Sequence, residues 1–200
     1  MNRLFLMIIT LTFSLTVFGQ TKKPDMQVVF DGKNLNHWNV PDTGEWTVKN
    51  GVLTVKNNPQ KKGSTLWSKE IYGDFVIELD FRFVQGTVDS GIFMRGEDEK
   101  NAQIQIGISG SLKRDMTGSP YIPGAGYPIE AQRVKKLLKP KSWNRMRAMA
   151  KGNTYTVWLN GVEVMNYTLK NANLNGPVGL QLHPGKEMAI DYRNIQIGSL

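Results

Sequence analysis

Short apolar runs that alternate with polar residues, each cut off by a turn signal, constrain this chain more than any other feature. In DFVIELDFRF (74–83), Phe75, Ile77, Leu79, Phe81 and Phe83 share one parity, and Asp74, Glu78, Asp80 and Arg82 share the other. Successive side chains of a strand point to opposite faces, so this segment reads as a half-buried strand. WTVKNGVLTV (46–55) and YTVWLNGVEVMNY (155–167) fold back at Asn50-Gly51 and Asn160-Gly161, pairs that readily take the positive φ of a tight hairpin. Further strands are expected in SGIFMRG (90–96), AQIQIGIS (102–109), NRMRAMA (144–150), GPVGLQLHPG (176–185) and MAIDYRNIQIG (188–198). Only PIEAQRVKKLL (128–138) predicts a helix, with Pro128 in its first turn. Many antiparallel strands with almost no helix predict an all-β, two-sheet sandwich, a jelly roll or a relative of it.

The N-terminus stands apart from this pattern. MNRLFLMIITLTFSLTVFGQ places Arg3 before an apolar run from Leu4 to Phe18, with Val17 and Gly19 at the recognition positions of a cleaved signal peptide. The run falls short of the roughly 20 apolar residues that span a bilayer. The expected organisation is a signal peptide over 1–19, a short segment over 20–27 and one domain over 28–200. The mature chain has no other apolar stretch long enough to cross a membrane, so export to the periplasm or outside a bacterial cell is the expectation. The chain has no cysteine, which excludes disulfides and thiolate chemistry.

The formal charge is +8, or +7 once Arg3 is removed. Much of the excess lies between Arg133 and Lys151. Basic patches attract acidic polymers, but no nucleic-acid motif accompanies this one, and nucleic acid is disfavoured as a partner. Nothing in the sequence sets an oligomeric state.

No catalytic motif of the GxSxG or HExxH type occurs. With only His37 and His183, a metal site has at most two imidazoles; no cofactor is evident, and a carboxylate-bound divalent metal stays open. The promising residues share strand faces. Gln103 and Gln105 project together, away from Ile104 and Ile106; Asp89 and Arg95 share a parity; Gln181 and His183 form a third pair before a Pro-Gly stop. Brought onto one sheet, they would supply donors and acceptors suited to sugar hydroxyls and a titratable imidazole. Trp38, Trp67, Trp143 and Trp158 are candidates for stacking on a sugar ring, Trp158 by parity on a polar face. The long loop SGSLKRDMTGSPYIPGAGYP (109–128) could wall a cleft. Glu78-Leu79-Asp80 resembles the ExDxxE strand of laminarinase-type glycosidases, but the third acid position is Phe83. A retaining glycosidase needs its paired carboxyls about 5 Å apart.

Taken in order, VVFDGKNLNHW, EWTVKNGVLTV, TLWSKEIYGDFVIELDFRF, DSGIFMRG, QIQI, WNRMRAMAKGNTYTVWLNG, GPVGLQLHPG and YRNIQI resemble the 3-keto-disaccharide hydrolase family, formerly a domain of unknown function. The resemblance implies a concanavalin A-like jelly roll and an exported enzyme of carbohydrate metabolism. It also implies cleavage of the glycosidic bond of a keto-glycoside or oligosaccharide already oxidised at C3, with a non-catalytic carbohydrate-binding module as the alternative. His183 would be the acid or base. Arg95 and Gln181 would hold the ketone or its neighbouring hydroxyls, and Gln105 matches a glutamine of the family's QI strand. Gln103 stands where many relatives carry glutamate, which directs attention to Asp89 and Asp115 as substitute acids. The loop's TGxxY pattern after Asp115 adds Lys113 and Arg114.

Overall fold

The computed structural model describes residues 24–43 and 45–200. The expected signal peptide, 1–19, lies outside the described residues. The chain forms two antiparallel sheets packed face to face, as the alternation predicts. The strands of the larger sheet are β1 (Met26–Phe30), β3 (Trp46–Lys49), β4 (Val52–Lys56), β6 (Phe75–Gly86), β10 (Asn144–Lys151), β11 (Thr154–Leu159), β12 (Val162–Thr168) and β14 (Met188–Ser199). Those of the smaller are β2 (Trp38–Asn39), β5 (Ser64–Tyr72), β7 (Asp89–Phe93), β8 (Gln103–Gly107), β9 (Pro120–Tyr121) and β13 (Gly176–Leu182).

The larger sheet runs β12-β11-β10-β6-β14-β4-β3, and β1 pairs with the far end of β14. β1 starts at Met26, two residues ahead of position 28. The smaller sheet runs β2-β5-β13-β7-β8-β9. Both Asn-Gly turns form as expected, with φ of 51° and 78° at Asn50-Gly51 and 51° and 85° at Asn160-Gly161.

One parity of each sheet faces the space between them. Ile77, Leu79, Phe81, Ala148, Val157, Ile190 and Tyr192 of the larger sheet share one apolar core with Leu66, Ile92, Ile104, Ile106, Val178 and Leu180 of the smaller. A polar tie crosses this core, the Ser90 hydroxyl lying 2.7 Å from the Tyr192 phenol. Burial pushes the Tyr192 pKa far up, so the phenol stays neutral there.

The expected helix over 128–138 shrinks to one turn, α1 (Val134–Leu137). Tertiary bonds hold the preceding backbone elsewhere: the Ala131 amide donates to the Ser119 hydroxyl and the Gln132 amide to the Val164 carbonyl. Arg133 then enters the turn at φ 64°. The long loop 109–128 is well tied. Ile108 bridges Asp115, and the loop contributes β9 to the edge of the smaller sheet.

Candidate functional site

The other parity of the smaller sheet faces outward, and its register arranges that face in rows. Gly179 lies opposite both Trp67 of β5 and Phe93 of β7; Phe93 lies opposite Gln103, and Gln103 opposite Tyr121. Two residues along, Gln181 faces Thr65 and Gly91 faces Gln105. Beyond that row Asp89 pairs with Gly107, and His183 follows the end of β13. Above these rows a cleft of about 570 Å³ opens between loop 109–128 and the turn after β13.

The cleft floor is a hydrogen-bonded set. Gln103 Nε2 donates to Gln181 Oε1 at 2.7 Å. Gln105 Nε2 donates to Asp89 Oδ1 at 2.9 Å, and the Tyr127 phenol donates to Gln105 Oε1 at 2.9 Å. Burial, ahead of the nearby Asp89 charge, pushes the Tyr127 pKa up to about 12, so it remains a donor and fixes which end of the Gln105 amide faces Asp89. Gly91 makes the first of these contacts possible. A Cβ there would fall 2.7 Å from Gln103 Nε2.

Asp89 is the charged centre. Its side chain is 3 % exposed, and its Oδ2 has no hydrogen-bond partner among the described residues. His183 Nε2 lies 3.9 Å from that oxygen and Lys186 Nζ 3.5 Å. His183 Nδ1 sits 2.7 Å from the Pro184 carbonyl, which can only accept. Nδ1 therefore carries a proton, and in the neutral ring Nε2 holds the lone pair on the Asp89 side. The result is a base with a carboxylate beside it to compensate the charge it acquires, and an ammonium close by.

Asp89 and Glu97 are the carboxylates that line this cleft. Among the described residues no group of three or more His, Cys, Asp or Glu side chains stands together. The amide oxygens of Gln105 and Gln181 already accept hydrogen bonds, and Lys186 Nζ lies 3.5 Å from Asp89 Oδ2.

Most of the sequence candidates meet here. Asp89, Gln103, Gln105, Gln181 and His183 all line the cleft, and Lys113 lines it as an exposed side chain. Arg95 does not. β7 ends at Phe93, the strand parity lapses, and the guanidinium turns into the protein with no exposure. There it donates to the carbonyls of Gly73, Gly152, Asn173 and Ala150 and to Asp74 Oδ1, at 2.6–3.4 Å. Trp158 has a polar-face parity but belongs to the other sheet, where Arg147 lies 5.5 Å over its ring. Asp115 faces a separate groove of about 630 Å³ and caps its own loop, accepting from the Thr117 amide and hydroxyl. Arg114 lines that groove too, paired with Glu130 at 2.5 Å.

Glu78 and Asp80 lie on the outer face of the larger sheet. Glu78 accepts from Arg145 and Arg147; Asp80 is held by Arg145, Arg193 and Asn194. Burial alone would raise the Glu78 pKa, but the arginine hydrogen bonds outweigh it and hold the carboxyl below its ordinary range. That constellation is structural.

Four residues of the cleft escaped the sequence reading: Lys186, Tyr121, Tyr127 and Glu97. The TGxxY pattern ends on Tyr121, and the loop's length pointed to its walls. Lys186 and Glu97 carried no signal, being charged residues in turns. Glu97 is exposed on its loop, yet partial desolvation of the carboxyl holds its pKa above the ordinary range.

Comparison with known proteins agrees with this fold. A family model described as a 3-keto-alpha-glucoside-1,2-lyase-like domain matches residues 25–198. A Parabacteroides distasonis protein provisionally assigned as a glycosyl hydrolase is 26 % identical, with a TM-score of 0.68 over 88 % of this chain and 100 % of its own. A second from that organism is 18 % identical, with a TM-score of 0.67 over 88 % of this chain and 94 % of its own. The carbohydrate-binding module CBM66 of Bacillus subtilis shares the fold at 13 % identity, with a TM-score of 0.60 over 82 % of this chain and 96 % of its own. No curated protein matches.

Proposed function

Because this chain belongs to the 3-keto-alpha-glucoside-1,2-lyase-like family, we propose that its cleft cleaves the glycosidic bond of a 3-keto-glycoside by elimination followed by hydration. The observation that carries the reading is the His183–Asp89–Lys186 group standing on a floor of carboxamides. A ketone at C3 acidifies the C2 proton, since the carbanion left behind is delocalised as an enolate. His183 Nε2 takes that proton, and Asp89 compensates the imidazolium. Lys186 stabilises the negative charge that develops on the C3 oxygen. The enolate then collapses: C3=O re-forms, a C1=C2 double bond appears, and the C1–O bond breaks. The departing oxygen takes a proton, for which Glu97, a lining carboxyl with its pKa held above the ordinary range, is the candidate acid. Water adds at C1 and a proton returns to C2, giving net hydrolysis. Gln103, Gln105 and Gln181 hold hydroxyls of the oxidised ring.

The test is release of the aglycone from a 3-keto-glucoside by purified protein, with and without a chelator. Release that survives the chelator and is lost in His183→Ala supports the reading. A wild type that releases nothing refutes it. Gln103, neutral where many relatives carry glutamate, favours a second reading as a carbohydrate-binding domain; binding without release identifies that case. The N-terminal apolar segment supports export, which sequencing the N-terminus of the mature protein would test.

A further inference from the structure

Beside the polar floor, the same outer face carries two aromatic residues that the chemistry above leaves unused. Trp67 and Phe93 stack with ring centroids 5.3 Å apart and 30° between their planes. Between them in the register stands Gly179, opposite both. A Cβ at 179 would fall 2.5 Å from Trp67 Cζ3 and 2.6 Å from Cε3, so the indole occupies the space a side chain there would fill. Phe93 is only 2 % exposed, whereas Trp67 stays partly open, so the indole is the member that meets solvent.

We infer that this Trp67–Gly179–Phe93 strip is a second sugar subsite, which takes the hexopyranose leaving from the scissile bond by stacking its apolar face on the indole. The inference rests on the reading of the floor as the site of the oxidised ring. Position along the strands assigns the two rings. His183 lies four residues beyond Gly179, about 13 Å along the strand direction, and Asp89 lies four residues from Phe93. The group that can abstract a proton is therefore at one end of the floor, and the strip, with no titratable group of its own, is at the other. Between them, Gln181 is two residues from Gly179, and Gln103 stands directly opposite Phe93. A ring stacked on Trp67 would have carboxamides at its edge for its hydroxyls, the pairing of apolar face and polar rim that a pyranose requires. Tyr121 continues the same row past Gln103, so the line of side chains spans five strands, or about 19 Å at ~4.8 Å per strand. The row gives the stacked ring its width, while the about 13 Å along the strands between Gly179 and His183 is room for two rings end to end.

The test compares Trp67→Ala and Trp67→Leu with wild type on a 3-keto-disaccharide and on a methyl 3-keto-glucoside. Trp67→Leu keeps an apolar cover over Phe93 if the alanine variant fails to fold. The expected result is a fall of about tenfold in kcat/KM for the disaccharide, with the methyl glycoside nearly unchanged. Equal losses on both substrates, or none on either, would overturn the subsite. Should the wild type release neither aglycone, the cleavage reading fails and the subsite is judged by calorimetric binding of the same two compounds. Tighter binding of the disaccharide that Trp67→Leu abolishes sustains it; affinity that the substitution leaves unchanged removes it.

Discussion

Replacing Arg95 with alanine should cost stability and spare chemistry. The guanidinium is fully buried and ties three turns together: Gly73 and Asp74 between β5 and β6, Ala150 and Gly152 at the β10–β11 hairpin, and Asn173 ahead of β13. Asp74 is 39 % exposed, so water can replace its partner cheaply. The carbonyls of Gly152, Asn173 and Gly73 face the vacated space from partly exposed turns, so each left unpaired costs toward the lower end of about 1–3 kcal/mol. Partial flooding of the cavity limits the sum to about 4 kcal/mol, within the ~3–5 kcal/mol typical of breaking a buried charged pair. For a domain of this size that lowers Tm by about 10 °C. Arg95→Lys restores one charge but not the planar fork, and should fall between alanine and wild type. Thermal and urea unfolding measure both, alongside turnover well below Tm. An alanine variant that unfolds within ~1 kcal/mol of wild type yet loses turnover would refute the reasoning and return Arg95 to the site.

Three other changes probe the floor and the opposite sheet. Gly91→Ala brings a methyl group within 2.8 Å of Gln103 Cγ and Cδ as well as 2.7 Å of Nε2, so the whole buried side chain must shift and its bond to Gln181 breaks; kcat/KM should fall about tenfold and Tm should fall with it. Tyr127→Phe frees the Gln105 amide to turn over and should weaken activity by a similar factor, read by steady-state kinetics. With the phenol pKa near 12, wild type should show no alkaline loss traceable to Tyr127 below about pH 10. Glu78→Gln should destabilise the protein by about 1 kcal/mol at pH 7 without affecting activity. Because the folded carboxyl lies below its ordinary pKa, the native stabilisation is present above the unfolded value and fades as pH falls through the depressed one. The urea midpoints of mutant and wild type should therefore converge in acid, below about pH 4.

The two-residue period of a strand is the part of the site that a sequence displays. Gln103, Gln105, Gln181 and Asp89 share a face because parity holds within β7, β8 and β13, and His183 continues it by one step. Parity does not say which sheet a face belongs to, and Trp158 shows the consequence: the right alternation on the wrong layer. It also ends where the strand ends. Arg95 is two residues past Phe93, and its direction is set by the carbonyls it finds. The helix over 128–138 fails for a comparable reason, since partners distant in sequence, Ser119 and Val164, claim the amides of Ala131 and Gln132. Lys186 owes its place to a turn whose path the alternation does not encode.

β14 carries a consequence for folding. Its twelve residues bond to β6 along one edge and to β4 and β1 along the other, so the last strand of the described residues is the spine of the larger sheet. Until it pairs, β6 and β4 have no neighbour across the gap between them. Pairing between segments so distant in sequence slows folding, and truncation ahead of Met188 would be fatal to the domain.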